Sequence, residues 1–165
     1  MQRVAVISDT HIPERASEIP EWATEHIRAA DHVVHVGDFT TETVLETVQS
    51  LAGSGFSAVT GNMDPSSLSL PEVATLAVED VTFVLTPGTG GRQGYEGRVA
   101  RTVTETADET AIGLAGHTHE PLDAIVDGVR ILNPGSVTGA DPASAATMLT
   151  VDVEGSDVEV TIHDE

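Results

Sequence analysis

The chain has 165 residues with neither cysteine nor lysine, and seven arginines face 27 acidic side chains for a formal net charge of −20. That composition excludes a disulfide or thiolate framework and disfavours binding along a nucleic-acid backbone, whose affinity comes largely from clustered Lys and Arg. With no N-terminal signal and no apolar run long enough for a bilayer, the expectation is one domain over residues 1–165, cytoplasmic and away from membranes.

In chain order, an apolar strand ending at Ile7 runs into Asp9-Thr10-His11, and a helix is predicted over 21–30. A second strand ends at Val36 and runs into Gly37-Asp38, followed by a helix over 41–51. A third strand ends at Val59, ahead of Gly61-Asn62-Met63-Asp64. Strands over 73–78 and 81–86 flank a Glu79-Asp80 turn and form a hairpin. A helix over 94–106 presents a solvated face, marked by Glu96, Arg98, Arg101, Glu105 and Asp108, and a strand over 111–115 runs into Gly116-His117-Thr118-His119. Only strands follow, over 122–126, 129–132, 145–151 and 158–162, with Asp127-Gly128 as the strongest hairpin signal. A βαβα half followed by an antiparallel half predicts two packed sheets with helices outside.

Four motifs thus stand where a buried strand ends and a loop begins, the edge at which open α/β sheets bind ligands. Singly, Gly-Asp and Gly-Asn are ordinary turn dipeptides. Together they collect carboxylate, amide oxygen and imidazole, the donors that suit hard or borderline divalent cations. Asp9 and His11 are two apart and can face one cation; Asp38 has two oxygens and can bridge two. Asn62 adds a neutral oxygen, and His117 and His119, with Thr118 turned away, can each serve one ion.

Ser8-Asp9-Thr10-His11-Ile12-Pro13, His35-Val36-Gly37-Asp38, Gly61-Asn62-Met63-Asp64, Gly116-His117-Thr118-His119-Glu120 and Asn133-Pro134-Gly135-Ser136-Val137-Thr138-Gly139 carry a resemblance that covers nearly the whole chain. The sequence resembles the calcineurin-like metallophosphoesterases. More narrowly, it looks like their small single-domain branch, which includes bacterial and archaeal phosphodiesterases and the metallophosphoesterase-fold subunit of the retromer sorting complex. The resemblance implies a four-layer αββα sandwich of two mixed β-sheets flanked by helices, and a metal-dependent phosphoesterase acting on a small phosphodiester or monoester. It implies one full metal site of Asp9, His11, Asp38 and His119, and a second site of Asp38, Asn62 and His117. The expected ion is Mn²⁺, with Ni²⁺, Zn²⁺, Fe²⁺ and Mg²⁺ as alternatives.

One departure from the family pattern falls on a ligand. A His-Gly pair is expected after the strand over 81–86, its histidine binding the second metal, but Pro87 stands there and has no donor atom. Thr89 or a water is available to fill the gap. Larger relatives place a general-acid histidine after the Gly-Asn pair; here Met63 cannot give a proton, which costs typically 10²- to 10⁴-fold and favours good leaving groups such as aryl oxides. Asp38, Asn62 and His11 are the expected catalytic residues, His11 as a partial substitute for the missing acid. The alternative is a weakly active or inactive binding or scaffold module on the same fold, and self-association is left open.

The charge is expected to reflect adaptation to a salt-rich cytoplasm, an acidic interaction face being the alternative. His35 is expected to be a hydrogen-bonded core residue; His26, His32 and His163 are expected to face solvent. Arg92, Arg98 and Arg101 are expected to form salt bridges, with phosphate contact as the alternative. Asn133-Pro134-Gly135-Ser136 is expected to turn near the site.

Overall fold

The computed structural model describes residues 1–53, 55–108 and 110–164. Its strands are β1 (Gln2–Ile7), β2 (His32–His35), β3 (Phe56–Ala58), β4 (Ala74–Val78), β5 (Val81–Thr86), β6 (Ile112–Ala115), β7 (Pro121–Val126), β8 (Val129–Pro134), β9 (Met148–Glu154) and β10 (Asp157–His163). Its helices are α1 (Glu21–Ala29), α2 (Glu42–Ala52) and α3 (Tyr95–Thr106). One five-stranded sheet has the order β10-β9-β1-β2-β3 and the other β4-β5-β6-β8-β7.

Strand alternation sends successive side chains to opposite faces, and three apolar layers result. Val4 and Val6 of β1, Val34 of β2, Phe83 and Leu85 of β5 and Leu149 of β9 meet between the sheets. From the same strands Ala5, Ile7 and Val33 point the other way, onto Ala23 and Ile27 of α1 and Val48 of α2. On the far side Val84 and Ile131 cover Val99 and Val103 of α3. Strands buried on both faces are nearly continuous in apolar residues for this reason. The four-layer sandwich of two mixed sheets is as expected.

The sheets do not coincide with the two halves of the sequence. β9 and β10 return to the first sheet, where β9 runs antiparallel to β1 with Val4 opposite Val151. In the second sheet β5, β6 and β8 run parallel, while β4 and β7 close its edges antiparallel. Hydrophobic alternation sets which face a strand buries and says nothing of its neighbour. Parallel strands β1, β2 and β3 in one sheet and β5, β6 and β8 in the other all end in the loops that carry the motifs.

Candidate metal centre

The β1 loop is clamped from two sides. Asp9 N–H donates to Gly37 O at 3.0 Å and His11 N–H to Asp38 O at 3.2 Å, which ties the loop to that after β2. On the other side Ser136 Oγ donates to Asp9 O at 2.7 Å and Thr138 Oγ1 to Thr10 O at 2.8 Å. Between Asp9 and His11, Thr10 turns away, its hydroxyl 2.6 Å from His35 Nε2. His35 is a fully buried core residue: its Nδ1 accepts Gly37 N–H at 3.1 Å, its ring stacks on Phe39, and burial pushes its pKa down to about 3.

Asp9, His11, Asp38, His117 and His119 all have positive φ, from 46° to 78°, and make up five of the nine non-glycine residues in that region among those described. A left-handed conformation costs a residue with a Cβ roughly 1–3 kcal/mol and concentrates where the surrounding structure and a function require it. The six candidate metal-site residues thus include five strained ones. Gly37, at φ 106°, and Gly61 pack so closely that a Cβ on Gly61 would collide with the carboxylate of Asp38; only glycine lets the two loops meet.

The side chains converge on one point. Asp9, His11 and His119 each offer a ligand atom, all within 4.8 Å of one another. His119 Nε2 lies 3.5 Å from Asp9 Oδ1, and His11 Nε2 lies 3.8 Å from both Asp9 Oδ1 and Asp38 Oδ2, separations of the order of two metal–ligand bonds of about 2 Å. Neighbouring groups fix which atoms are free. His119 Nδ1 is 2.8 Å from Ala140 O, so it carries the proton and Nε2 keeps its lone pair. Asp9 Oδ2 accepts Ser8 Oγ–H at 2.8 Å and His117 N–H at 3.1 Å, which leaves Oδ1. Asp38 Oδ1 accepts Met63 N–H at 2.8 Å, which leaves Oδ2.

Among the described residues, Asp9 Oδ1 and both ring nitrogens of His11 are buried without a hydrogen-bond partner. Buried polar atoms left without partners are costly, and a divalent cation taking Asp9 Oδ1 and the unprotonated His11 nitrogen removes much of that cost. The donors present therefore fit a metal. The carboxylates show the same tension: burial favours the protonated form of Asp9, yet His11, His119 and Ser8 outweigh it and keep its pKa below the usual range. Burial and the charges of Asp9 and Asp64 push Asp38 up to about 7, against the opposing Met63 N–H bond.

Asn62 and His117 line the same cavity of about 250 Å³, together with His11, Asp38 and His119. His117 Nε2 is 2.9 Å from Gly90 O, so that nitrogen carries the proton and Nδ1 holds the lone pair. Pro87 borders an adjoining cavity instead.

Several supporting groups have roles the sequence did not suggest. Asp64 Oδ2 accepts Asp38 N–H and Gly61 N–H at 2.8 Å each, and its Oδ1 accepts Thr40 N–H at 2.7 Å, so one carboxylate joins the β2 and β3 loops. An aspartate three residues after a glycine is a signal for such a turn. Tyr95, whose hydroxyl is held protonated by burial, donates to Gly116 O at 2.6 Å. Asn133 Nδ2 donates to Tyr95 Oη and Thr118 Oγ1 at 3.0 Å each and to Gly116 O at 3.2 Å. The Asn133 turn thus supports the histidine loop from below.

The remaining expectations are met unevenly. Arg92 pairs with Glu120 at 3.0 Å and also lines the metal cavity, with Arg15 another wall residue. Arg98 donates to the carbonyls of Gly88 and Gly91, not to a carboxylate. His26, His32 and His163 are half-buried, contrary to expectation. His26 of α1 and His163 of β10 stack with a 4.0 Å ring separation, and His32 bonds Ser57 at 2.9 Å.

Similarity to known proteins runs over nearly the whole chain. The calcineurin-like phosphoesterase superfamily domain matches residues 2–156. A probable metallophosphoesterase of Methanothermobacter thermautotrophicus is 33% identical over 159 residues, covering 95% of this chain and 90% of its own. A phosphodiesterase of Methanocaldococcus jannaschii is 25% identical, with 83% of this chain and 85% of its own covered. The crystal structure of Vps29 from Chaetomium thermophilum superposes with a TM-score of 0.83 at 17% identity, over 99% of this chain and 96% of that one.

Proposed function

The chain belongs to the calcineurin-like phosphoesterase superfamily, and from that premise we propose that it is a phosphodiesterase with one complete and one depleted metal site. The observation that carries the proposal is the set of buried, unpartnered donors of Asp9 and His11 facing His119 Nε2. Asp9, His11, Asp38 and His119 would hold one cation; Asp38, Asn62 and His117 would hold the other, with no help from Pro87. Mn²⁺ suits this oxygen and imidazole set. Bound divalent ions supply a water of lowered pKa and offset the negative charge of the phosphoryl oxygens.

The chain's own residues do the rest. Arg15 and Arg92 on the cavity wall can meet phosphate oxygens and orient the ester. His11, buried between two carboxylates, is better placed as a ligand than as a proton donor. Met63, 44% exposed, offers no proton to a leaving group, so aryl esters should turn over fastest. Hydrolysis of an aryl phosphodiester at high salt, supported by Mn²⁺ and abolished by chelator, tests the proposal; absence of turnover with Mn²⁺ rejects it.

A second reading is a binding or scaffold module, favoured by Pro87 and by the fold likeness to Vps29. Pro87→His separates the two. In an enzyme with a depleted site, metal titration shows two unequal steps, and this substitution tightens the weaker one and raises the rate. Two equally tight steps in the wild type would mean that another group already completes the shell.

A further inference from the structure

Next to the metal cavity lies a second one, of about 370 Å³, between the β3 and β5 loops and α3. Asn62 lines both, so the two are adjoining chambers with a ligand candidate as their common wall. The second is lined on its polar side by Thr60, Thr86, Thr89 and Thr102 with one cation, Arg98, and one carboxylate, Glu72, and on its apolar side by Val73, Pro87 and Val99. No aromatic ring lines it among the described residues.

Arg98 is fixed in the wall of this chamber. Of the seven arginines, Arg3, Arg92 and Arg130 have a carboxylate partner among the described residues, while Arg15 donates to the carbonyl of Asp141 at 2.8 Å. Arg98 has Nη2 on the carbonyls of Gly88, at 3.3 Å, and Gly91, at 3.0 Å, and its buried Nε has no partner among the described residues. The carbonyl bonds fix the guanidinium plane against the β5 loop without neutralising it.

We propose that this chamber receives the ester arm that stays on phosphorus and that the arm is a polyol or sugar; this rests on the phosphodiesterase reading of the adjoining site. Arg98 and Glu72 cancel in formal charge, so an anionic arm gains little over a neutral one. The hydroxyls of Thr60, Thr86 and Thr89, a guanidinium and a carboxylate offer donors and acceptors together, and Thr102, whose hydroxyl donates to Arg98 O at 3.1 Å, can still accept; this is the complement of a hydroxyl-rich group. An apolar arm would leave these groups unpaired, the situation in which polar sites discriminate most strongly. Val73, Pro87 and Val99 can take the carbon face of a sugar or polyol, whereas an aryl arm would cover them and leave the polar side unpaired. Because Met63 supplies no proton, a polyol alkoxide would also be a poor leaving group, which assigns it to the retained side.

The test uses three diesters with a common 4-nitrophenolate leaving group and a methyl, phenyl or glyceryl retained arm, assayed with Mn²⁺ in molar KCl. The glyceryl ester should exceed the other two in kcat/KM by about tenfold or more. Glu72→Gln and Thr102→Val should each shrink that ratio, and Arg98→Lys should keep more of it than Arg98→Ala. Binding of glycerol phosphate against methyl phosphate, by calorimetry, reads the chamber without turnover. Equal kcat/KM for all three esters with equal binding of the two phosphates would overturn the chamber and leave the hydrolase standing. No hydrolysis of any ester, with glycerol phosphate bound more tightly in a Glu72-dependent way, would uphold the chamber and overturn the hydrolase.

Discussion

Asp38 is the one side chain shared by both proposed donor sets, with Oδ1 fixed by Met63 N–H and Oδ2 turned to His11. Asp38→Asn should therefore weaken metal binding at both positions and lower hydrolysis on the order of 10²-fold or more; wild-type turnover with two bound ions would refute the assignment. His35, three residues earlier, gives a pH prediction. Its folded pKa, about 3, lies below the ordinary 6.5, so the unfolded chain binds the extra proton as pH falls. Stability from the neutral ring is complete above about pH 6.5 and is lost as pH drops from there toward 3, by about 2 kcal/mol between pH 7 and 5. Because the raised Asp38 carboxyl titrates in the same window with the opposite sign, urea unfolding at the two pH values is compared in an Asp38→Asn background, and ring nitrogen shifts still neutral at pH 5 identify His35 as the residue responsible; a ring protonated near pH 6 would contradict it. The metal candidates were legible because their chemistry is written in side-chain type and in their place after apolar strands. The strain they bear was not, since positive φ at Asp9 or His117 follows from the meeting of loops far apart in the chain.

At the scale of elements, the site is built from loops that hold one another. Asp64 is the clearest case: its carboxylate gathers three backbone N–H groups from Asp38, Thr40 and Gly61. Asp64→Ala leaves all three donors unpaired and should cost roughly 3 kcal/mol, seen as a lower thermal midpoint and a weaker metal titration. Asp64→Asn keeps one acceptor oxygen and should fall between. An alanine variant with wild-type midpoint and metal affinity would show that the loops are held by other means. Strand and helix positions were readable to within a few residues, because alternation and turn dipeptides are local signals, as Asp127-Gly128 between β7 and β8 shows. Strand partners were not: the return of β9 to pair with β1 depends on residues far apart in the chain, such as Val4 and Val151, and no local pattern encodes it.

For the molecule as a whole, the dominant fact is charge. Even if every one of the seven arginines neutralised a carboxylate, 27 − 7 = 20 acidic groups would remain uncompensated, and the arginine–carboxylate pairs described are those of Arg3, Arg92 and Arg130. Mutual repulsion among surface carboxylates opposes the compact state, and it reaches about 10 Å at 0.1 M salt but only about 3 Å at 1 M. Added KCl should therefore raise the thermal midpoint progressively from dilute buffer toward molar concentration. The buried cluster of Asp9, His11 and His119 is shielded from bulk ions by its loops, so a matched titration with Mn²⁺ should add its own stabilisation on top of the salt effect, by mass action on the folded state. A midpoint unchanged or lowered by KCl would mean that the carboxylates are already accommodated at low salt. The surplus charge would then be better explained as an acidic face for a basic partner than as adaptation to a salt-rich interior.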